Sequence, residues 1–282
     1  MTTINCKGNL IELSSPKVAG ILNITPDSFY DGGKYTNINA IRNRVKQIIS
    51  EGADFIDIGA YSSRPGAKHI SEDEELQRLI PVLEMMQTDF SDAIISVDTF
   101  RAKIAKIIVE NYGVAIINDI SAGNMDTKML ETIAQLNVPY IMMHMQGTPQ
   151  NMQKNVHYDD LMKELLMFFA KKLSVAKQIG INDVIVDPGF GFGKIIEHNY
   201  QILNELEKFK ILDTPILVGI SRKSMIYKLL DTSPEEVLPA SLALSMTALQ
   251  KGTSILRVHD VKETVQIVKV FNKLNEVSKN NF

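Results

Sequence analysis

Arg257 and His259 stand two residues apart inside an apolar stretch, so on a strand they share one face. An arginine fork beside an imidazole suits an oxyanion, phosphate above all. Arg64, Arg222 and Lys223 add further cations. A second set is rich in acceptors: Asp98, Asn118 and Asp187. Two carboxylates and an amide can read a heterocycle that presents several N–H donors. A flat ring with an amino-amidine edge and a phosphate tail satisfies both sets. Asp57, Asn118, Arg257 and His259 interrupt apolar runs, where an unpartnered polar group costs about 1–3 kcal/mol. The plainer alternative is local: Asp98 or Thr99 caps a helix starting near Arg101, and Asp119 shapes a turn.

The elements that must position these groups follow from hydrophobic pattern. Eight short apolar runs occur, at residues 18–24, 54–59, 93–98, 115–120, 139–144, 183–187, 215–220 and 255–260. They are rich in Val and Ile on both faces, as buried parallel strands are. Between them lie stripes of helical spacing, such as Ile38, Ile41, Val45 and Ile48, or Leu161, Leu165, Phe168 and Phe169. Two further helical stretches, 225–230 and 237–251, follow the seventh run. Eight strand–helix units predict an α/β fold, a (β/α)8 TIM barrel spanning 1–282 as one domain. Its active site belongs at the C-terminal ends of the strands, where every run ends on polar groups. An open doubly wound sheet is the runner-up, weakened because no Gly-x-Gly-x-x-Gly follows the first run. Two glycine-containing connections, residues 25–35 and 60–71, leave catalytic strand ends and are candidate lids; Phe29 rides on the first.

Composition narrows the partners. The 282 residues carry 30 Lys+Arg against 33 Asp+Glu, a net charge of −3, which marks no nucleic-acid or anionic-membrane surface. One cysteine, Cys6, rules out an internal disulfide or a four-thiolate metal site. The first residues lack a signal-peptide pattern and no apolar run suits a membrane span, so a cytoplasmic protein is expected. Gly189 to Lys194 imitates a phosphate loop, but the spacing is one residue short and Ile195 stands where Ser or Thr is needed. His69, His157 and His198 fall outside the runs and are expected in solvent. Of Met142, Met143 and Met145, at least one should be plain core.

Taken together, several segments resemble dihydropteroate synthases. They are Gly20 to Phe29 with Asp31-Gly32-Gly33, Ser63-Arg64-Pro65-Gly66, Ser96-Val97-Asp98-Thr99, Ile117-Asn118-Asp119, Met143-His144-Met145, Asp187 to Lys194, Ser221-Arg222-Lys223-Ser224 and Arg257-Val258-His259-Asp260. They run in family order through all eight predicted strands. The resemblance implies a folate-pathway transferase on a TIM barrel. It joins 6-hydroxymethyl-7,8-dihydropterin diphosphate to p-aminobenzoate with Mg2+ and releases pyrophosphate. It further implies that Asp98, Asn118, Asp187 and Lys223 hold the pterin, with Met143 as a wall. Asn23, Arg257 and His259 would hold the diphosphate, with Asn23 at the Mg2+. Ser63, Pro65, Phe192, Arg222 and Ser224 would border p-aminobenzoate, with Phe29 from the first loop. Asp27 and Asp31 ride on that loop and are expected in catalysis with Lys223, Arg257 and His259; Asp57 and Arg64 are expected at the substrate. The family also implies a homodimer and a sulfonamide target.

The second loop departs from the family pattern. Tyr61 stands where an acid is common, and Ser63 replaces the usual Thr, keeping its hydroxyl. A methyltetrahydrofolate methyltransferase would share the pterin pocket but would not need the Ser-Arg-Pro-Gly loop or the Arg-x-His pair. A non-catalytic paralogue predicts a lost Lys, Arg or first-loop Asp, and none is lost here.

Overall fold

The computed structural model describes residues 2–25, 38–64 and 66–279. The chain opens with an antiparallel hairpin, β1 (Thr3–Cys6) and β2 (Asn9–Glu12). Alternating units then follow: β3 (Lys17–Asn23), α1 (Ile38–Ser50), β4 (Phe55–Gly59), α2 (Glu72–Asp89), β5 (Ile95–Asp98), α3 (Ala102–Tyr112), β6 (Ile116–Asp119) and α4 (Met129–Leu136). The second half adds β7 (Tyr140–Met143), α5 (Leu161–Gln178), β8 (Val184–Asp187) and α6 (Ile196–Asn204). A 3-10 turn, β9 (Leu217–Val218), α7 (Ser224–Tyr227), α8 (Leu238–Gln250), β10 (Ile255–Val258) and α9 (Val261–Lys279) complete it.

The eight strands β3 to β10 pair in parallel, in the order β8-β7-β6-β5-β4-β3-β10-β9. A parallel bridge between Val186 and Ile216, with the Val186 amide donating to the Pro215 carbonyl at 3.0 Å, joins the two edges. That closure makes the sheet a barrel and excludes the open doubly wound alternative. All eight predicted runs are strands. The helical stretch expected at 225–230 is shorter, because α7 ends at Tyr227. The hairpin β1–β2 was not expected; its strands are too short to leave a periodic signal.

Local chemistry explains several boundaries. The Ser71 hydroxyl caps α2 by accepting from the Glu74 amide at 3.1 Å, and four acids fill the first turn, where the helix dipole favours them. Gly113, at φ 61°, ends α3 in the left-handed conformation. At Gly20, α1 comes so close to β3 that a Cβ would lie 2.6 Å from Ile48 Cγ2.

Pleat alternation divides each strand. Outward side chains such as Leu22, Ile58, Val97, Ile117 and Val186 pack against the helices in the main core. Inward side chains at the N-terminal end form a second apolar cluster: Ala19, Phe55, Ile116, Ile141, Ile185, Leu217 and Ile255. Ile4, Cys6 and Leu13 from the hairpin region cover it.

Candidate active site

Two residues further along the same inward faces, the chemistry changes. Asp57 follows Phe55, Asn118 follows Ile116, Met143 follows Ile141, Asp187 follows Ile185 and Arg257 follows Ile255. This layer floors a cavity of about 900 Å3 at the C-terminal mouth.

The floor is a wired set. The Arg257 Nε donates to Asp57 Oδ2 at 2.6 Å, and Ser96 Oγ donates to Asp57 Oδ1 at 2.6 Å. The Asn118 amide reaches both Asp57 oxygens at 3.3 and 3.4 Å. Asp57 thus lies beneath the cavity and aims Arg257, whose Nη2 lies 3.7 Å from Asp98 Oδ2. This corrects the expectation that Asp57 faces substrate: its oxygens are spent on Arg257, Ser96 and Asn118, and the residue is 2% exposed.

The remaining described candidates line the cavity: Asn23, Ser63, Arg64, Asp98, Asn118, Met143, Asp187, Phe192, Arg222, Lys223, Ser224, Arg257 and His259. Asp27, Phe29, Asp31 and Pro65 lie outside the described residues. Asp187 Oδ1 accepts from the Gly189 amide at 2.7 Å. Lys223 donates to the Phe190 carbonyl and its Nζ lies 4.8 Å from the centre of the Phe192 ring.

Burial shapes the charges. It pushes the Asp98 carboxyl up to about 8, against the pull of the Arg257 cation. It also raises Asp187, opposed by Lys223 and the Gly189 N–H. It lowers Lys223 to about 8, against the attraction of Asp187. The His259 ring is driven down to about 3 by burial and then by Arg257, Arg222, Arg44 and Lys223. At neutral pH it is therefore an uncharged imidazole, its Nδ1 3.2 Å from Ser221 Oγ, and not the cation the sequence suggested.

Arg222 also differs from expectation. Its Nε and Nη2 fork onto Asp260 at 2.8 and 2.7 Å, and its Nη1 donates to the Pro234 and Glu235 carbonyls. It braces the segment between α7 and α8 from the cavity wall. The local alternatives divide. Asp119 is a structural turn residue, accepting from the Ser121 and Gly123 amides at 2.7 Å and from the Tyr140 hydroxyl at 2.5 Å. Asp98 caps nothing, but Thr99 Oγ1 accepts from the Arg101 amide at 3.3 Å, and Asp126 Oδ2 accepts from the Ala102 amide at the start of α3 at 2.8 Å.

The false phosphate loop has a structural purpose. Lys194 is buried, and its ammonium donates to the Gly189 and Phe192 carbonyls, both at 2.9 Å, and lies 3.1 Å from His144 Nδ1. Burial lowers Lys194 to about 7. Gly189 runs so close to β7 that a Cβ would sit 2.0 Å from the His144 carbonyl oxygen. Met142 is core and Met143 lines the cavity. His157 is exposed, as expected. His198 is half-buried with Tyr158 edge-on at 5.2 Å, and His69, though exposed, bonds to Tyr61, so neither is simply solvated.

Tyr61, Met152, Gln153, Phe190 and Ser221 also line the cavity and went unassigned. Ser221 left a signal, a hydroxyl at the end of the seventh run, and Tyr61 stood out as a departure from the family pattern. Among the described residues no three His, Cys, Asp or Glu side chains gather for a metal. Asn23 does offer an amide oxygen, so close to Gly59 that a Cβ there would lie 3.2 Å from it. Mg2+ commonly takes one or two protein oxygens and fills its shell with substrate phosphates and water. That donor set fits.

The sequence profile described as pterin binding enzyme matches residues 19–259. The dihydropteroate synthase of Escherichia coli (strain K12) is 43% identical over 266 residues, covering 94% of this chain and 93% of that one. A crystal structure of Yersinia pestis dihydropteroate synthase with a sulfonamide drug complex superposes with a TM-score of 0.93. It shares 41% identity and covers 98% of this chain and 100% of its own. Xanthomonas albilineans dihydropteroate synthase with 4-aminobenzoic acid gives a TM-score of 0.88 at 38% identity, covering 97% and 98%.

Proposed function

The chain belongs to the pterin-binding enzyme family, and from that premise we propose that it catalyses the dihydropteroate synthase reaction of folate biosynthesis. It is a transferase that joins 6-hydroxymethyl-7,8-dihydropterin diphosphate to p-aminobenzoate and releases pyrophosphate. One observation carries this reading. The acceptors Asp98, Asn118 and Asp187 and the cations Lys223 and Arg257 line a single cavity.

In this mechanism Asp98, Asn118 and Asp187 accept from the pterin N–H groups, and Met143 packs on the ring. The C–O bond between the pterin methylene and the diphosphate breaks, and its electron pair leaves with the diphosphate. Arg257, aimed by Asp57, neutralises the charge that builds on the leaving oxygens. His259 contributes a hydrogen bond from a neutral ring. Positive charge on the methylene spreads into the pterin ring. The arylamine lone pair then forms the new C–N bond, and the nitrogen sheds its extra proton to solvent. Ser63, Arg64, Phe192 and Ser224 border the arylamine. Asn23 would hold Mg2+, which adds Lewis-acid stabilisation of the departing diphosphate when bound.

Two finer readings belong here. A homodimer fits α9, which exposes Val270, Leu274 and Val277 at spacings of four and three; sedimentation gives the mass. No described helix is long and apolar enough to cross a membrane, and a cytoplasmic enzyme inhibited by sulfonamides is the expected setting.

The test is direct. Pure protein with pterin diphosphate, p-aminobenzoate and Mg2+ should release pyrophosphate and form dihydropteroate in equal amounts. Pyrophosphate release that does not depend on p-aminobenzoate would reject the reading.

A further inference from the structure

Tyr61 departs from the family pattern, and its surroundings give it work to do. It is 6% exposed and lines the cavity beside Ser62, Ser63 and Arg64. Its ring packs edge-on against Phe100 at 5.0 Å. Its hydroxyl does more than satisfy itself. It accepts from Gln150 Nε2 at 2.8 Å and lies 3.1 Å from His69 Nδ1.

The path continues inward. His69 Nε2 lies 3.3 Å from Arg101 Nη2, and Arg101 can only donate, so Nε2 accepts and Nδ1 carries the hydrogen toward Tyr61. Arg101 is buried, donates to the Ile70 and Ser71 carbonyls and pairs with Glu75, which is fully buried on α2. Gln150 belongs to the loop after β7. The hydroxyl of Tyr61 therefore ties the segment after β4 at two points, to the loop after β7 and to the Arg101–Glu75 pair at the starts of α3 and α2. An acid at position 61 would meet the same partners with a shorter reach and a negative charge; Tyr spans the gap with a neutral hydroxyl.

We propose that Tyr61 is a positioning residue for arylamine recognition. Its hydroxyl fixes the backbone that presents Ser62, Ser63 and Arg64 to the arylamine side of the cavity, and leaves the pterin floor untouched. The inference rests on the functional reading above and refines one half of it. The pterin side is held by strand residues, Asp98, Asn118 and Asp187, whose positions the sheet already fixes. The arylamine side borrows a loop, and a loop needs an anchor.

The experiment compares Tyr61→Phe and Gln150→Ala with the unaltered enzyme. Tyr61→Phe keeps the ring and its packing on Phe100. Gln150 is exposed, so its truncation does not threaten folding. Each variant should raise KM for p-aminobenzoate about fivefold, the scale of one net hydrogen bond, with kcat within about twofold. Pterin affinity by calorimetry should not change. The double variant should be no worse than Tyr61→Phe alone, because Tyr61→Phe already removes the link to Gln150. Unchanged KM in both variants overturns the inference. So does an equal loss for both substrates, which is what general destabilisation produces. Absence of turnover in the unaltered enzyme overturns the functional reading, and the inference falls with it.

Discussion

The barrel is one sheet with two interiors. At its N-terminal end the inward residues are Ala19, Phe55, Ile116, Ile141, Ile185, Leu217 and Ile255, and the β1–β2 hairpin seals them from water. One pleat period later, the same strands present Ile21, Asp57, Ser96, Asn118, Met143, Asp187, Gly219 and Arg257. Backbone, register and flanking helices are shared; only the side chains differ. The lower layer supplies dry packing and asks for nothing. The upper layer concentrates charge in a partly buried space, where Asp98 rises to about 8, Lys223 falls to about 8 and His259 loses its proton. Such a layer is held at a cost in stability that the lower layer and outer core offset. The strand ladder lets one end be optimised for folding and the other for binding without conflict.

The comparison breaks most sharply at β10 and β4. Arg257→Ala should lower kcat/KM about 10³-fold, as loss of a preorganised charge partner does, while the melting temperature holds within a few degrees. Asp57 would lose one partner but keep Ser96 and Asn118. A variant that retains activity, or fails to fold, would show that the upper layer is structural after all. The lower layer should give the mirror result. Phe55→Ala leaves a cavity under Asp57 and should cost about 3 kcal/mol of stability, read by urea denaturation. Its KM for both substrates should stay put. A large KM change there would mean that the two layers are mechanically coupled.

Much of this division was legible beforehand. The polar interruptions at Asp57, Asn118, Arg257 and His259 could be read against their Val and Ile neighbours, because strand period is fixed at two. Asn118, Arg257 and His259 proved to line the mouth, with Asp57 beneath them. What the sequence could not yield were roles that depend on which partner is nearest. Asp57 looked like a substrate contact and is the support of Arg257. Arg222 looked like an anion site and forks onto Asp260. His259 looked cationic, yet burial, and then the cations that folding gathers around it, strip its proton. Each concerns a contact between residues distant in sequence, 38 apart for Arg222 and Asp260 and 200 apart for Arg257 and Asp57. The Gln150–Tyr61–His69–Arg101 path was invisible for the same reason: it joins two loops and a helix start.

The smallest expected effect separates two histidines that both refuse a proton, one in each kind of surrounding. His144, held near 2 by burial and Lys194, belongs to the loop brace; His259, held near 3, belongs to the mouth. Both titrate near 6.5 when unfolded. The sign is the same for each. Above 6.5 neither state binds the proton and the neutral ring costs nothing. As pH falls from 6.5 toward 3 the unfolded chain takes a proton that the folded chain does not, so stability is lost. Each contributes about 1.4 kcal/mol per pH unit in that window. Asp98 acts in the opposite sense, its contribution fading as pH rises toward 8, so total stability mixes the two. Substitution isolates each term. The stability gap between the unaltered protein and His144→Gln should narrow by that slope between pH 6.5 and 4.5, and so should the gap to His259→Gln. Lys194 titrates near 7, above that window. Pyrophosphate should then divide them. Bound at the mouth, its charge returns a proton to His259 and flattens only that slope, leaving the His144 slope intact. Equal flattening of both would mean that the anion acts on the whole fold, and the distinction between brace and mouth would fail.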